Sequence, residues 1–205
     1  MSFTYGTLKT ALQDYTENTE TSFVSNLPTF ITAAEDRIFK LVDLEFFRKN
    51  ATSALTQNDP YLSVPSDYLS SFSLSITNSS SKEFLSQKDV NFLQEFHPNS
   101  ATTGVPRYYA FFDVSNFILA PTPDSNYVCE LHYYYRPASL TAGAEGGTTW
   151  LSENAPNALL YGSLVEAYIY MKGEQDIMQM YEKQFGEALA RIKDLAEARE
   201  NSDAY

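Results

Sequence analysis

The residues of this 205-residue chain that could carry chemistry are few in kind. Carboxylates dominate, with 26 Asp and Glu against 14 Lys and Arg, and a close pair of carboxylates is the usual starting point for general acid–base hydrolysis. Here they fall mostly opposite apolar stripes, the pattern of a solvated face. Two histidines are present, His97 and His132. His132 lies between Leu131 and Tyr133 in an alternating segment, which makes it a strand-face histidine bonded to a neighbour. His97 precedes Pro98 in a loop and has no obvious partner. Cys129 is the single cysteine, which excludes an intramolecular disulfide and a Cys-built zinc site. Its phase with Leu131 reads as a buried structural thiol. The many serines include no Gly-x-Ser-x-Gly elbow. The one glycine pair, Gly146-Gly147, runs into Thr148-Thr149-Trp150 rather than the Lys-Ser/Thr of a phosphate loop. These residue types point to no catalytic centre, no cofactor and no metal site.

What stands out instead is the aromatic run Tyr133-Tyr134-Tyr135, closed by Arg136-Pro137. In a strand, alternate rings face opposite sides, so one face can be core and the other a contact surface. Three readings stay open: plain sheet packing, a stacking platform for sugars, and a protein–protein contact, where Tyr and Arg are enriched. Tyr134 and Arg136 are the candidates for an inter-subunit or partner contact. Arg136, at the strand edge, suits a carboxylate on another subunit.

The net charge of −12 argues against a conventional nucleic-acid binder, which needs Lys and Arg to displace phosphate counterions. No apolar run approaches the ~20 residues of a membrane span. The opening Met1-Ser2-Phe3-Thr4-Tyr5 lacks the charged and apolar regions of a signal peptide, so the chain reads as soluble and made in a cytoplasm. The acidity is spread: −2 over residues 1–50, −5 over 51–150 and −5 over 151–205.

The elements that must position these residues follow from periodicity, and the chain reads as α+β. Residues 1–50 are helical. Tyr5, Leu8, Leu12 and Tyr15 form one helical face. A second helix is expected from Asn26 as N-cap, with Pro28 in its first turn, burying Leu27, Ile31, Ala34, Ile38 and Leu41 and turning Glu35, Asp36 and Lys40 to solvent. Residues 51–150 read as an inserted, antiparallel β-rich segment, sandwich or barrel-like. Its first strand lies within 46–55, followed by a turn at Asn58-Asp59-Pro60 and alternation over Tyr61–Pro65. Phe72, Leu74 and Ile76 alternate as a half-buried strand, and Asn78-Ser79-Ser80-Ser81 reads as a flexible connection. A short helix over 87–96 and strands over Arg107–Val114, Asn116–Ala120 and Tyr127–Tyr135 complete the segment. Ala142–Gly147 is an exposed loop. Residues 151–197 form a helical hairpin that completes the bundle. Its first helix starts at Asn154 with Pro156 in the first turn, its stripe is Leu160, Leu164, Tyr168 and Met171, and Gly173 takes the left-handed cap. Its second helix carries Ile177, Tyr181, Phe185, Ala188, Ile192 and Leu195. Residues 198–205 read as an extended tail.

Several segments, in order along nearly the whole chain, resemble the head-to-tail adaptor (connector) proteins of tailed bacteriophages, especially the short-tailed kind. They are Ala33-Ala34-Glu35-Asp36-Arg37-Ile38, Tyr61-Leu62-Ser63-Val64-Pro65-Ser66-Asp67-Tyr68-Leu69, Gly104-Val105-Pro106-Arg107-Tyr108-Tyr109, Pro121-Thr122-Pro123-Asp124, Tyr133–Pro137 and Thr149-Trp150-Leu151-Ser152-Glu153-Asn154-Ala155-Pro156-Asn157-Ala158-Leu159-Leu160-Tyr161-Gly162. The resemblance implies a virion structural protein at the head–tail neck. Such proteins form a ring, usually of twelve copies, that binds the portal protein, extends the DNA channel and docks the tail nozzle protein. DNA then passes through the channel without specific binding, and twelve copies at −12 each would carry −144. By position, the resemblance makes Ala198, Arg199, Glu200, Asn201, Ser202, Asp203, Ala204 and Tyr205 the portal-docking segment. The alternative is a carbohydrate- or receptor-binding β module of a phage tail, with Tyr134 in its platform. A third reading is a cell-wall hydrolase working through paired acids.

Overall fold

The computed structural model describes residues 2–42 and 47–203, with the backbone alone for 197–203. In chain order the elements are α1 (Tyr5–Thr16), α2 (Thr21–Leu41), β1 (Arg48–Ala54), β2 (Tyr61–Ser63), β3 (Tyr68–Asn78), β4 (Ser81–Gln87), α3 (Val90–Phe96), β5 (Thr103–Gly104), β6 (Tyr108–Asp113), β7 (Asn116–Ala120), β8 (Thr122–Pro123), β9 (Val128–Tyr135), a 3-10 turn (Leu140–Ala142), α4 (Trp150–Asn154), α5 (Pro156–Met171) and α6 (Gln175–Asp203). The fold is α+β, and it divides into two compact units. One is Met1–Glu45 with Ala138–Tyr205; the other is Phe46–Pro137. Residues 138–150, read from the sequence as the end of the β segment, pack with the helices. Leu140 is buried in the helical core, and its N–H donates to Glu35 at 3.0 Å.

In the helical unit, Thr4 and Thr7 form a capping box at the start of α1. The Ala142–Gly147 loop receives that end: Tyr5 N–H donates to the Gly147 carbonyl and Gly6 N–H to that of Glu145. Two donors that helix geometry leaves unpaired are thereby satisfied. α2 begins at Thr21, five residues before the expected Asn26. The reason is packing. Phe23 is fully buried and meets Phe30, which in turn meets Tyr170. Asn26 caps nothing; its amide donates back to the Ser22 carbonyl at 2.8 Å. Pro28 sits inside the helix and withholds one backbone donor there. Leu27, Ile31, Ala34 and Ile38 are buried, whereas Leu41 is exposed. Glu35, expected on the solvent face, is buried.

Asn154 likewise starts no helix. A capping box of Thr149 and Ser152 opens α4, and Asn154 closes it. Pro156 then begins α5, where its missing N–H costs nothing. α5 is apolar on most of its circumference, burying Ala158, Leu159, Leu160, Leu164, Val165 and Ala167, as expected of a central helix. Gly162 lets its neighbours approach: a Cβ there would lie 2.9 Å from the Phe185 ring and 3.1 Å from Ala34. The left-handed residue after α5 is Lys172 at φ 53°, not Gly173. Gly173 is needed for space, because its Cβ would lie 2.5 Å from the Tyr168 ring. α6 packs back on α5 through Tyr181, Phe185, Leu189 and Ile192. It stays helical to Asp203, so Ala198–Asp203 is not the extended tail the sequence suggested. Ala198, Arg199 and Glu200 favour helix, and no Gly or Pro follows to break the ladder before Asp203. Ala204, Tyr205 and Phe46 lie outside the described residues.

In the β unit, seven strands form one sheet in the order β1-β9-β3-β4-β6-β7-β2. All neighbours are antiparallel except β4 with β6, which α3 connects. A parallel pair, β5 with β8, stands beside it. The sheet curls around one core containing Leu62, Leu74, Ile76, Leu85, Phe117, Cys129, Leu131 and Tyr133. The Asn78–Ser81 connection is a two-residue hairpin turn, with Ser79 and Ser80 at φ 47° and 71°. Positive φ at both central residues matches the strand twist. β4, absent from the sequence reading, pairs with β3 across it.

Candidate functional site

The end of β9 places the three tyrosines on two faces. Tyr133 points inward, is buried, and stacks with Tyr68 at 5.8 Å. Its hydroxyl donates to Asp67 at 2.9 Å, and Lys49 donates to the other Asp67 oxygen at 2.6 Å. Lys49 holds the Asp67 carboxyl below the usual carboxylate range, with help from Tyr133. Burial, and then the Asp67 charge, pushes the Tyr133 phenol up to about 12. Tyr135 shares the inner phase and packs against Phe47 and the Lys49 ammonium. These contacts close the end of the β core.

Tyr134 is on the outer face. Phe72 meets it edge-on at 6.4 Å, and the Arg48 guanidinium lies 5.1 Å from the Phe72 ring and 5.3 Å from the Tyr134 ring. Phe72 is there because β3 is bulged. Ser71 pairs with Tyr133 and Ser73 with His132, so Phe72 is an extra residue; Leu69 is another, between Tyr68 and Ser70. A bulge redirects its side chain, and Leu69 and Phe72 are 59% and 60% exposed. The alternation that assigned Phe72 to the core fails here, while Leu74 and Ile76 beyond the bulge are buried as expected. β6 repeats the device at its tip. Phe112 is the extra residue between Phe111 and Asp113, exposed against Tyr61 at 5.0 Å. Arg136 is exposed just beyond β9, and its N–H donates to the Asp67 carbonyl.

Along the outer face from Tyr134, His132 Nε2 lies 3.3 Å from Glu130. Glu130 also takes hydrogen bonds from Lys82 and Asn50, and these hold its carboxyl low. The strand-face histidine is therefore part of a surface polar network. His97 Nε2 lies 2.7 Å from the Thr102 carbonyl. Cys129 is buried, which raises its thiol pKa. Among the described residues no group of three His, Cys, Asp or Glu comes together to hold a metal ion, and no helix is long and apolar enough to cross a membrane.

The structure thus joins Tyr134 to Arg48 and Phe72, neither of which the sequence brought to it. Arg48 falls in the first strand, which the sequence bounds only as 46–55, and the bulges leave no mark in a one-residue alternation count. In the helical unit a groove of about 140 Å³ lies between the α4–α5 junction and α6, lined by Pro156, Arg191, Ile192 and Leu195 among others.

A comparison with curated proteins finds no match. The family model described as SU10 adaptor protein matches residues 3–204. With both units and all their elements inside that match, the chain belongs to the SU10 adaptor protein family and is a structural adaptor of bacteriophage virions.

Proposed function

We propose that the chain is the head-to-tail adaptor of a bacteriophage, forming a ring under the portal that extends the DNA channel and docks the tail nozzle. The observation that carries this reading is the family match over residues 3–204, which takes in the β unit and the helices together. Twelve copies is the expected ring size. The C-terminal segment Ala198–Tyr205 docks into the portal, presented as the end of α6 through Asp203. Tyr134 and Arg136 serve contacts with a neighbouring subunit or the nozzle. The acidity suits DNA transit, since duplex DNA is repelled by a negatively charged ring and slides through without being held.

Gradient sedimentation of the purified chain mixed with its portal tests the reading. The expected result is co-migration in a fixed ratio, unaffected by added duplex DNA. Separate migration of an intact portal and an intact chain would overturn it.

A further inference from the structure

The hairpin joining β6 and β7 carries apolar side chains outward at its tip. Asp113 pairs with Asn116 across the two-residue turn Val114-Ser115. Exposed turns ordinarily take Gly, Pro, Asn, Asp or Ser, yet Val114 stands here 94% exposed. Two residues before it, the bulge leaves the Phe112 ring exposed against Tyr61. Between the two, Asp113 accepts from the Ser115 N–H and from the Asn116 amide. These donors hold the carboxyl below the usual carboxylate range without cancelling its charge. No Lys or Arg pairs with it among the described residues. A protruding apolar tip with an uncancelled carboxylate fits a surface that is concave, apolar and cationic.

The helical unit has such a surface. The groove between the α4–α5 junction and α6 has about 140 Å³, close to the roughly 150 Å³ in which an apolar cavity takes up benzene. It therefore admits one apolar side chain. Pro156, Ala188, Ile192 and Leu195 line it, and Arg191 is the charged residue of its wall. Arg191 is exposed, and among the described residues it has no ion pair or hydrogen bond, although Glu187 and Asp194 stand one helical turn to either side. α5 opens at the same wall without a side-chain cap, so its first N–H groups add to the positive potential there. The helical unit as a whole holds 18 acidic against 8 basic residues, a net −10, while the β unit holds 8 against 6, a net −2. An anionic tip is repelled by most of such a surface, and that repulsion directs it to the cationic groove.

We infer that the β6–β7 tip of one copy seats in the α4–α5/α6 groove of a second copy, with Val114 filling the groove and Asp113 facing Arg191. Tip and groove differ, so the contact is head-to-tail and closes into a ring when its rotation allows. The inference rests on the adaptor reading for the biological ring, and self-association alone is enough to test it.

The experiment mixes two single variants, Val114→Cys and Leu195→Cys, with a short bismaleimide cross-linker, so that a mixed product joins two different molecules. It is run with the free chain at high concentration and again with the portal present. Both positions are exposed, so the variants should match the wild type by circular dichroism, and the wild type with its buried Cys129 supplies the background. The expected result is a mixed product about tenfold above either variant alone, kept when Arg191→Lys is added to the Leu195→Cys chain and lost with Arg191→Glu. A mixed yield unchanged by Arg191→Glu would overturn the inference. So would Val114→Cys joining chiefly to itself, which means a two-fold contact. Wild-type chain that binds the portal while the variants give no mixed product would overturn the inference and leave the adaptor reading standing. A mixed product from a chain that does not bind the portal would sustain the contact and defeat the adaptor reading.

Discussion

Asp67 ties three parts of the β unit with one side chain and its backbone. Its carboxylate takes Lys49 and Tyr133, and its carbonyl takes the Arg136 N–H. Lys49 lowers its pKa in the fold below the ordinary carboxylate value of 3.8, so the stabilisation is fully present above that value and disappears as pH falls through the lower, folded one. Asp67→Asn should cost roughly 1–2 kcal/mol at pH 7, because the pair is partly exposed and the lost bonds are charge-assisted. That difference should shrink below about pH 4, where the wild-type carboxylate also becomes neutral in the unfolded chain. Urea melts of both proteins at neutral and acidic pH read it directly. Tyr133 works at the other end of the scale. Its phenol is raised to about 12, so its contribution is complete below about pH 10 and fades as pH climbs towards 12. Gly173 gives a second residue-scale test. If it were a left-handed cap, alanine would be penalised by backbone strain; its φ is not positive, and the conflict is with the Tyr168 ring. Gly173→Ala should therefore destabilise by about 1–3 kcal/mol, and a thermal melt in a Tyr168→Leu background should show most of that loss gone.

At the scale of elements, Glu35 connects α2 to the 3-10 turn that follows the β unit, by accepting the Leu140 N–H in a buried setting. Glu35→Ala should cost about 1–3 kcal/mol by leaving that buried amide without its side-chain acceptor, and Glu35→Gln should recover part of it; calorimetry of the two variants decides. Gly162 similarly sets how closely α5 meets α2 and α6. What the sequence could tell about these elements follows from which physical signal each one leaves. α1, α6 and the cores of α2 and α5 were legible because their apolar residues recur at helical spacing over several turns. Helix starts were not: Asn26 and Asn154 look like caps, but burial of Phe23 extends α2 upstream, and Thr149 with Ser152 caps an earlier short helix. Glu35 was misread because charge suggests solvent, while inside the fold the Leu140 N–H meets its carboxyl. The strands of the β unit were found where alternation is regular. The hairpin at Ser79-Ser80 was hidden because two serines, rather than Asn-Gly, adopt the positive φ values. Tyr134 was picked from its type and phase; its neighbour Phe72 depends on a register shift that only the pairing with β9 reveals.

Over the whole molecule the net charge of −12 is less evenly distributed than thirds of the sequence suggest, since the helical unit carries −10 of it. In an assembly built from this chain the helical units supply the negative field and the β units the aromatic, nearly neutral surfaces. If the end of α6 docks the portal, removing Ala198–Tyr205 should weaken portal association while leaving thermal stability almost unchanged; an equal loss of stability would mean the segment packs on its own unit. Both quantities can be measured on the same truncated protein, by pull-down on immobilised portal and by thermal melt. The central claim is that this chain assembles on a portal as a ring. Negative-stain imaging of portal particles with and without the purified chain is the most direct test. The expected picture is an added ring coaxial with the portal, open at its centre. Bare portals in the presence of excess folded chain would contradict the account.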